Sequence, residues 1–191
     1  MNWKKYFKHH EDRKPRKQLV QAVSFCKNKE NALDLGAGTL IESKFLIKKG
    51  FKNVTAVDNA PQVKIFAKKF SNKKLQLENV SFQDYNFSKN TFDLINAQFA
   101  LPFYGEKGFS SFIKKIKNSL KKNGVFVGQL FGKKDSTNNK KSELVFQTKK
   151  QALNFLSDLK ILEFKEEEKD GKTVSGKLRH WHVFHFIVKK K

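Results

Sequence analysis

Four residues carry the spacing most suited to chemistry in this chain of 191 residues: Asp34, Gly36, Gly38 and Asp58. The apolar stretch Ala32-Leu33-Asp34-Leu35 runs straight into Gly36-Ala37-Gly38-Thr39, so a carboxylate stands just ahead of a turn built on two glycines. Glycine permits a tight bend and leaves the turn's N–H groups approachable, and such a turn between a strand and a helix is a ligand cradle. A second apolar stretch, Asn53-Val54-Thr55-Ala56-Val57, ends in Asp58, twenty positions beyond Gly38. A carboxylate there accepts hydrogen bonds from ribose hydroxyls, and the two signals together point to an adenosine-type ligand.

Dinucleotide sites share that pair, so the surrounding residues must separate them. A pyrophosphate cradle reads G-x-G-x-x-G, whereas the position matching its third glycine is Ile41, and no glycine follows until Gly50. Asp34 would repel a phosphate but favours a cationic ligand. S-adenosylmethionine, with its sulfonium and ammonium groups, meets that description.

On these residues the chain resembles the class I S-adenosylmethionine-dependent methyltransferases, whose first motif, acid-x-Gly-x-Gly-x-Gly, is met by Asp34-Leu35-Gly36-Ala37-Gly38-Thr39-Leu40. Leu40 replaces the last glycine and narrows the approach to the amino-acid end of the cofactor. The resemblance implies that Asp58 and Asn59 hold the ribose. It places Asp84 and Tyr85, in Ser81-Phe82-Gln83-Asp84-Tyr85, against the adenine after a third strand. It implies that Gly36, Ala37, Gly38 and Asn96 complete the cofactor site, with Arg16 within reach of the cofactor carboxylate. Phe92-Asp93-Leu94-Ile95-Asn96-Ala97-Gln98 resembles the fourth strand, and Asn96, Gln98 and Tyr104 are the candidates facing the methyl acceptor. The stretch from Arg179 to Val188 resembles the last strand of small bacterial members acting on small molecules, relatives of the tellurite-resistance methyltransferases among them. An Asn-Pro-Pro-Tyr-type motif is missing after the fourth strand, which disfavours nucleobase amino groups as acceptors. A small-molecule acceptor therefore leads, and an RNA or DNA methyltransferase using the basic surface is the alternative. Direct in-line transfer needs little machinery; where the acceptor must lose a proton, His180, His182 or Tyr104 is the expected base.

The elements that must position these groups follow from periodicity. Residues 16–27, 41–49 and 108–121 read as helices, the last stopping at Asn123-Gly124, and Pro61 opens another helix through Val63, Phe66, Ala67 and Phe70. Strands are expected near 31–36, 53–58, 79–83, 92–98 and 125–131. Alternation of this kind gives a parallel sheet covered by helices, with ligands at the carboxyl ends of the strands. The polar stretch 133–142 reads as a mobile loop, Thr148 to Gln151 as a capping box, and Ala152 to Leu159 as its helix. Residues 161–168 and 180–188 flank a loose turn, so the sheet ends in an antiparallel strand. With the resemblance, the expected fold is an α/β, Rossmann-like three-layer sandwich with a mostly parallel seven-stranded sheet. Residues 1–30 form an N-terminal helical segment packing on a single domain, 31–191. Its Trp3 and Tyr6 either pack or close over the cofactor.

Composition sets the remaining limits. At 22.2 kDa there is no room for a separate substrate domain, and no apolar run matches a membrane span or secretion signal, so a cytoplasmic protein is expected. Formal charge is +22 and the pI about 10.0, which attracts polyanions such as nucleic acid without specificity. Only three of the 40 basic residues are arginines, and the lysines are spread along the whole chain, a bias of composition more than a reading groove. Cys26 lies on an apolar helix face and is read as packing. His180 and His182 share one strand face while Trp181 and His185 share the other, so no metal site is expected. The sequence leaves the oligomeric state open.

Overall fold

Alternating apolar runs and helical periodicities produce the expected alternation, in a computed structural model that describes Phe7, His9, residues 13–173 and residues 176–191. Trp3, Tyr6 and His10 lie outside the described residues. In chain order the elements are α1 (Lys17–Ser24), β1 (Asn31–Leu35), α2 (Ile41–Lys48), β2 (Asn53–Val57), α3 (Val63–Phe70), β3 (Leu75–Glu78) and β4 (Phe92–Ala97). A 3₁₀ turn (Leu101–Tyr104) leads to α4 (Phe109–Ser119), β5 (Leu120–Gly132), β6 (Phe146–Gln147), α5 (Lys149–Leu156), β7 (Lys160–Lys172) and β8 (Leu178–Lys189).

The strands form one sheet in the order β3-β2-β1-β4-β5-β8-β7, with the two-residue β6 added beside β5. All pairs through β5 and β6 are parallel, and β8 runs antiparallel to both β5 and β7. The Rossmann-like sandwich and its antiparallel strand are as expected. β4 is buried at every position because both sheet faces are covered, which is why Phe92-Asp93-Leu94-Ile95 reads as a run and not an alternation. On one face α1 and α2 pack through Leu19, Val23 and Leu46 onto Leu94, Val125 and Ile187. On the other, α4 and α5 pack through Phe112, Ile116, Ala152 and Leu156 onto Leu33, Ile95, Phe126 and Phe184. Among the described residues no helix is long and apolar enough to cross a membrane.

The chain moves outward from β1 to β2 and β3, then returns to lay β4 on the other side of β1. At that reversal the loops leaving the strands diverge and open a crevice. Register fixes what lines it: Asp34 pairs with Ala56 of β2 and Asn96 of β4, so the tip of β1 stands beside Asn96.

Several boundaries differ from the sequence reading. The third strand is Leu75–Glu78 and not 79–83, since Leu75 and Leu77 pair with Val54 and Ala56 while the following residues form a loop. α4 stops at Ser119, and Asn123-Gly124 falls within β5, where Asn123 takes a left-handed φ of 64° at a register shift against β4. The helix start was better legible: Gln151 N–H donates to Thr148 Oγ1 at 3.2 Å and Thr148 N–H to Gln151 Oε1 at 2.8 Å, a complete capping box. Its helix then runs Lys149–Leu156, three residues earlier than expected.

Candidate functional site

The strand-to-helix turn is where sequence and structure meet most closely, and where one expectation fails. Gly36 and Gly38 have φ of 73° and 51°, the left-handed region that other residues enter at a cost. At Gly36 a Cβ would stand 2.7 Å from Ala100 Cβ, so this glycine serves close packing of the turn against the loop after β4. The turn's amides are not open. Gly36 and Ala37 N–H both donate to Val57 O, at 2.8 and 3.2 Å, and Gly38 N–H donates to Asp58 Oδ2 at 2.9 Å. With these donors spent, a phosphate would find no nest of N–H groups here.

Leu40 also departs from expectation. It adopts φ 63° despite its side chain and is fully buried beside Ala37, Ala56, Val63 and Phe66, away from the cavity wall. It therefore narrows nothing; burying an isobutyl group offsets the left-handed backbone cost of about 1–2 kcal/mol.

Asp34 lies beneath the turn, 1% exposed. Ser43 Oγ donates to its Oδ2 at 2.6 Å and Asn96 Nδ2 to its Oδ1 at 2.7 Å. Burial, then the nearby Glu42 carboxylate, push its pKa up to about 7, although the two hydrogen bonds and Arg13 act the other way. Asn96 Oδ1 accepts from Gln98 Nε2 at 3.0 Å, and Gln98 Oε1 accepts from Gln129 Nε2 at 3.3 Å, so a buried amide chain runs across the strand ends. Gln129 Oε1 in turn accepts Phe99 N–H at 2.8 Å and holds Phe99 in its left-handed conformation. Asp58 bridges the tips of β1 and β2: its two oxygens accept Gly38 and Ala60 N–H, and burial raises its pKa against those two bonds.

These groups open onto a cavity of about 780 Å³, within the range of about 300–1,000 Å³ typical of ligand sites. Gly36, Ala37, Gly38, Asp58, Asn59, Asn96, Gln98 and Arg16 all line it, so the structure brings together most of the residues selected from sequence. Arg16 stands 4.5 Å over the Phe99 ring. Arg13 and Glu42 also line it, paired through both guanidinium Nη atoms; sequence reading missed them because the partners stand 29 positions apart.

Asp84 and Tyr85 do not line the cavity. Asp84 is exposed and accepts Ser81 Oγ at 2.6 Å within its own loop, and Tyr85 packs edge-on against Phe87, where burial lifts its pKa to about 12. Because β3 already ends at Glu78, Val80, Ser81, Phe82 and Gln83 form that wall. Tyr104 is also displaced: its ring stacks on Phe112 at 4.1 Å in the core, so it is no candidate base.

His180 and His182 share a strand face, as expected, but it is the face away from the cavity, whereas Arg179 and Trp181 line it. His180 Nδ1 lies 2.9 Å from Asp170 Oδ1. His182 is buried over Gly132 and lies 3.0 Å from Glu166 Oε1 through Nε2. Glu166, Glu168 and His182 bring possible ligand atoms within 4.8 Å of one another. However, Lys134 N–H donates to His182 Nδ1, which puts the neutral ring's proton on Nε2, where it faces Glu166 and blocks the lone pair a metal needs. Lys134 and Lys149 already pair with Glu168 and Glu166. The side chains that this strand presents to the cavity are therefore those of the face opposite the histidines. The stretch 133–142, expected to be mobile, is pinned there: buried Asp135 receives Arg179 through Nε at 3.1 Å and Nη2 at 2.9 Å. Burial raises the Asp135 pKa, but bonds from Arg179 and Thr137 outweigh it, leaving the group below the usual carboxylate range.

With this geometry in place, three comparisons bear on the chain. The family model described as a methyltransferase domain matches residues 33–128. No curated protein sequence matches. Among solved structures, TehB from Haemophilus influenzae superposes with a TM-score of 0.80 at 18% identity, over 99% of this chain and 67% of that one. The N-methyltransferase NodS from Bradyrhizobium japonicum, in complex with S-adenosylhomocysteine, gives 0.69 at 14% identity over 100% and 99%. The 1,6-didemethyltoxoflavin-N1-methyltransferase of Burkholderia thailandensis, with bound 1,6-didemethyltoxoflavin and S-adenosylhomocysteine, gives 0.65 at 14% over 92% and 79%.

Proposed function

The chain belongs to the methyltransferase-domain family, and on that premise we propose that it methylates a small molecule, with the acceptor bound in the half of the cavity beyond Gln98. It is an enzyme whose cofactor is S-adenosylmethionine, and the residues present fit that group. The turn offers no free amide cradle at Gly36, Ala37 or Gly38, while Asp58 presents a carboxylate to the cavity and Asp34, beneath the turn, can ionise further when a cation binds above it. Asp58 and Asn59 would hold the ribose, Val80 to Gln83 the adenine, and Arg13 and Arg16 the carboxylate. Phe7, stacked on Phe66 at 5.7 Å and 3.8 Å from the place of a Gly38 Cβ, covers the turn with its ring.

When bound, the cofactor supplies an electrophilic methyl on a positively charged sulfur. The chain's contribution is then to place an acceptor in line and exclude water. Asn96 and Gln98 fix the shared border of the two halves through their buried amide chain. Among the described residues, the wall contains no histidine, cysteine or tyrosine, so an acceptor with a lone pair already available suits it best.

The observation carrying the small-molecule reading is the acceptor half itself, walled by Phe99, Phe103, Phe131, Leu144 and Trp181. A cytoplasmic location is proposed with it. The test is transfer of a labelled methyl to cell extract separated into small-molecule and macromolecular fractions. Label in the small-molecule fraction supports it; label confined to RNA overturns it in favour of the basic surface.

A further inference from the structure

We infer that the acceptor is a planar apolar anion, gripped between aromatic walls and a cationic rim formed by Arg179, Lys172 and Lys177. The inference rests on the methyltransferase reading above and names the substrate class of its second subsite.

Arg179 is 8% exposed and lines the cavity. Its guanidinium lies 3.6 Å from the Trp181 ring centroid and 4.9 Å from that of Phe131. Nε and Nη2 are bound to Asp135, so the plane is fixed by a salt bridge at one edge and aromatic contacts. Nη1 takes no hydrogen bond among the described residues. That corner keeps access to the cavity, where a carboxylate or another oxyanion would be a stronger acceptor than water. Asp135 neutralises the arginine's charge, so Arg179 contributes direction and the net positive charge must come from elsewhere.

Lys172 and Lys177 supply it. They flank the β7–β8 turn, line the cavity and make no ion pair among the described residues. The only lining carboxylates among the described residues, Glu42 and Asp58, both sit at the cofactor end beside the glycine turn. The cavity is thus uneven in charge: at the turn the two carboxylates are matched by Arg13 and Arg16, whereas Lys172 and Lys177 face no lining carboxylate, so the net positive charge lies at the far end. Between the rim and the turn, Phe99, Phe103, Phe131, Leu144 and Trp181 give apolar walls suited to a flat body. An acid with an aliphatic or highly hydroxylated body would leave those faces unmatched.

The test uses the full chain saturated with S-adenosylhomocysteine, titrated calorimetrically with benzoate, indole-3-acetate and 2-naphthoate, each against its neutral amide. At least one acid is expected to bind at least tenfold more tightly than its amide, with 2-naphthoate favoured for its larger flat face. The double variant Lys172→Gln, Lys177→Gln should cut that preference at least threefold while S-adenosylhomocysteine binds as before. Trp181→Leu should weaken acid and amide alike. Equal affinity for acids and amides, or no binding of any acid, overturns the inference. Failure of S-adenosylhomocysteine to bind the unaltered chain overturns instead the reading on which it rests.

Discussion

Asp34 makes the protein less stable as pH rises from the acid range toward neutrality, and the size of the effect follows from its surroundings. Burial and the Glu42 carboxylate lift its pKa from 3.8 to about 7. Across that window the folded chain holds a proton that the unfolded chain has already released. Stability is therefore greatest at the acid end and declines as pH climbs toward the folded value, above which both states are ionised. Three pKa units correspond to about 4 kcal/mol over the full window, and the part between pH 5 and pH 8 to about 3 kcal/mol. With a urea dependence of about 2 kcal/mol per molar, the midpoint falls by about 1.5 M. Asp34→Asn isolates the group, since the introduced amide can accept from Asn96 and donate to Ser43 Oγ in the same geometry. Urea titrations at pH 5, 6.5 and 8 should show the variant losing about 3 kcal/mol less than the parent chain over that range. Identical slopes would refute the assignment of a raised pKa to Asp34. A cationic ligand favours the ionised carboxylate, so S-adenosylmethionine should release part of a proton at pH 7, read as a binding heat that changes between phosphate and Tris buffers.

Other residues give sharper single outcomes. Gly132→Ala places a methyl group inside the His182 ring; the strand must shift, and thermal unfolding should show a loss of about 3 kcal/mol or more. Leu40→Gly restores the family's third glycine yet should destabilise by about 2–4 kcal/mol, because the lost burial exceeds the relieved left-handed strain. Asp58→Ala frees the Gly38 and Ala60 amides as well as removing the proposed ribose acceptor, so S-adenosylhomocysteine affinity measured by calorimetry should fall at least tenfold, equivalent to about 1.4 kcal/mol. Asp135→Asn removes the charge opposing buried Arg179 and should cost about 3 kcal/mol in chemical denaturation.

The fold was legible wherever a residue's environment is set by near neighbours. Alternation of β1 to β5 with helices shows in the apolar periods, the capping box at Thr148 in four consecutive residues, and the antiparallel end in two strand-like runs, although Asp170-Gly171, read as turn, pairs with β8 inside β7. Boundaries failed where tertiary pairing overrode local signals. Asn123-Gly124 reads as a helix stop, yet β4 recruits Leu120 beside Phe92 and draws the strand back past it. The third strand was placed four residues late because the apolar pattern continues through Val80 and Phe82, which leave the sheet to form the cavity wall.

The same division runs through the site. Asp34, Gly36, Gly38 and Asp58 were readable because one turn and one parallel strand pair bring them together, and the strand register decides their neighbours. The proposed acceptor half has no such local signature. Arg179 meets Asp135 across 44 residues, and its role depends on which face of β8 turns inward. Periodicity correctly separated His180 and His182 from Trp181 and His185, but only the sheet's handedness and the cover of the 133–142 segment decide which set faces the cavity. Chemical reputation favoured the histidines. Geometry gives them to the Glu166, Glu168 and Asp170 ladder on the opposite face and leaves Arg179 and Trp181 for the ligand.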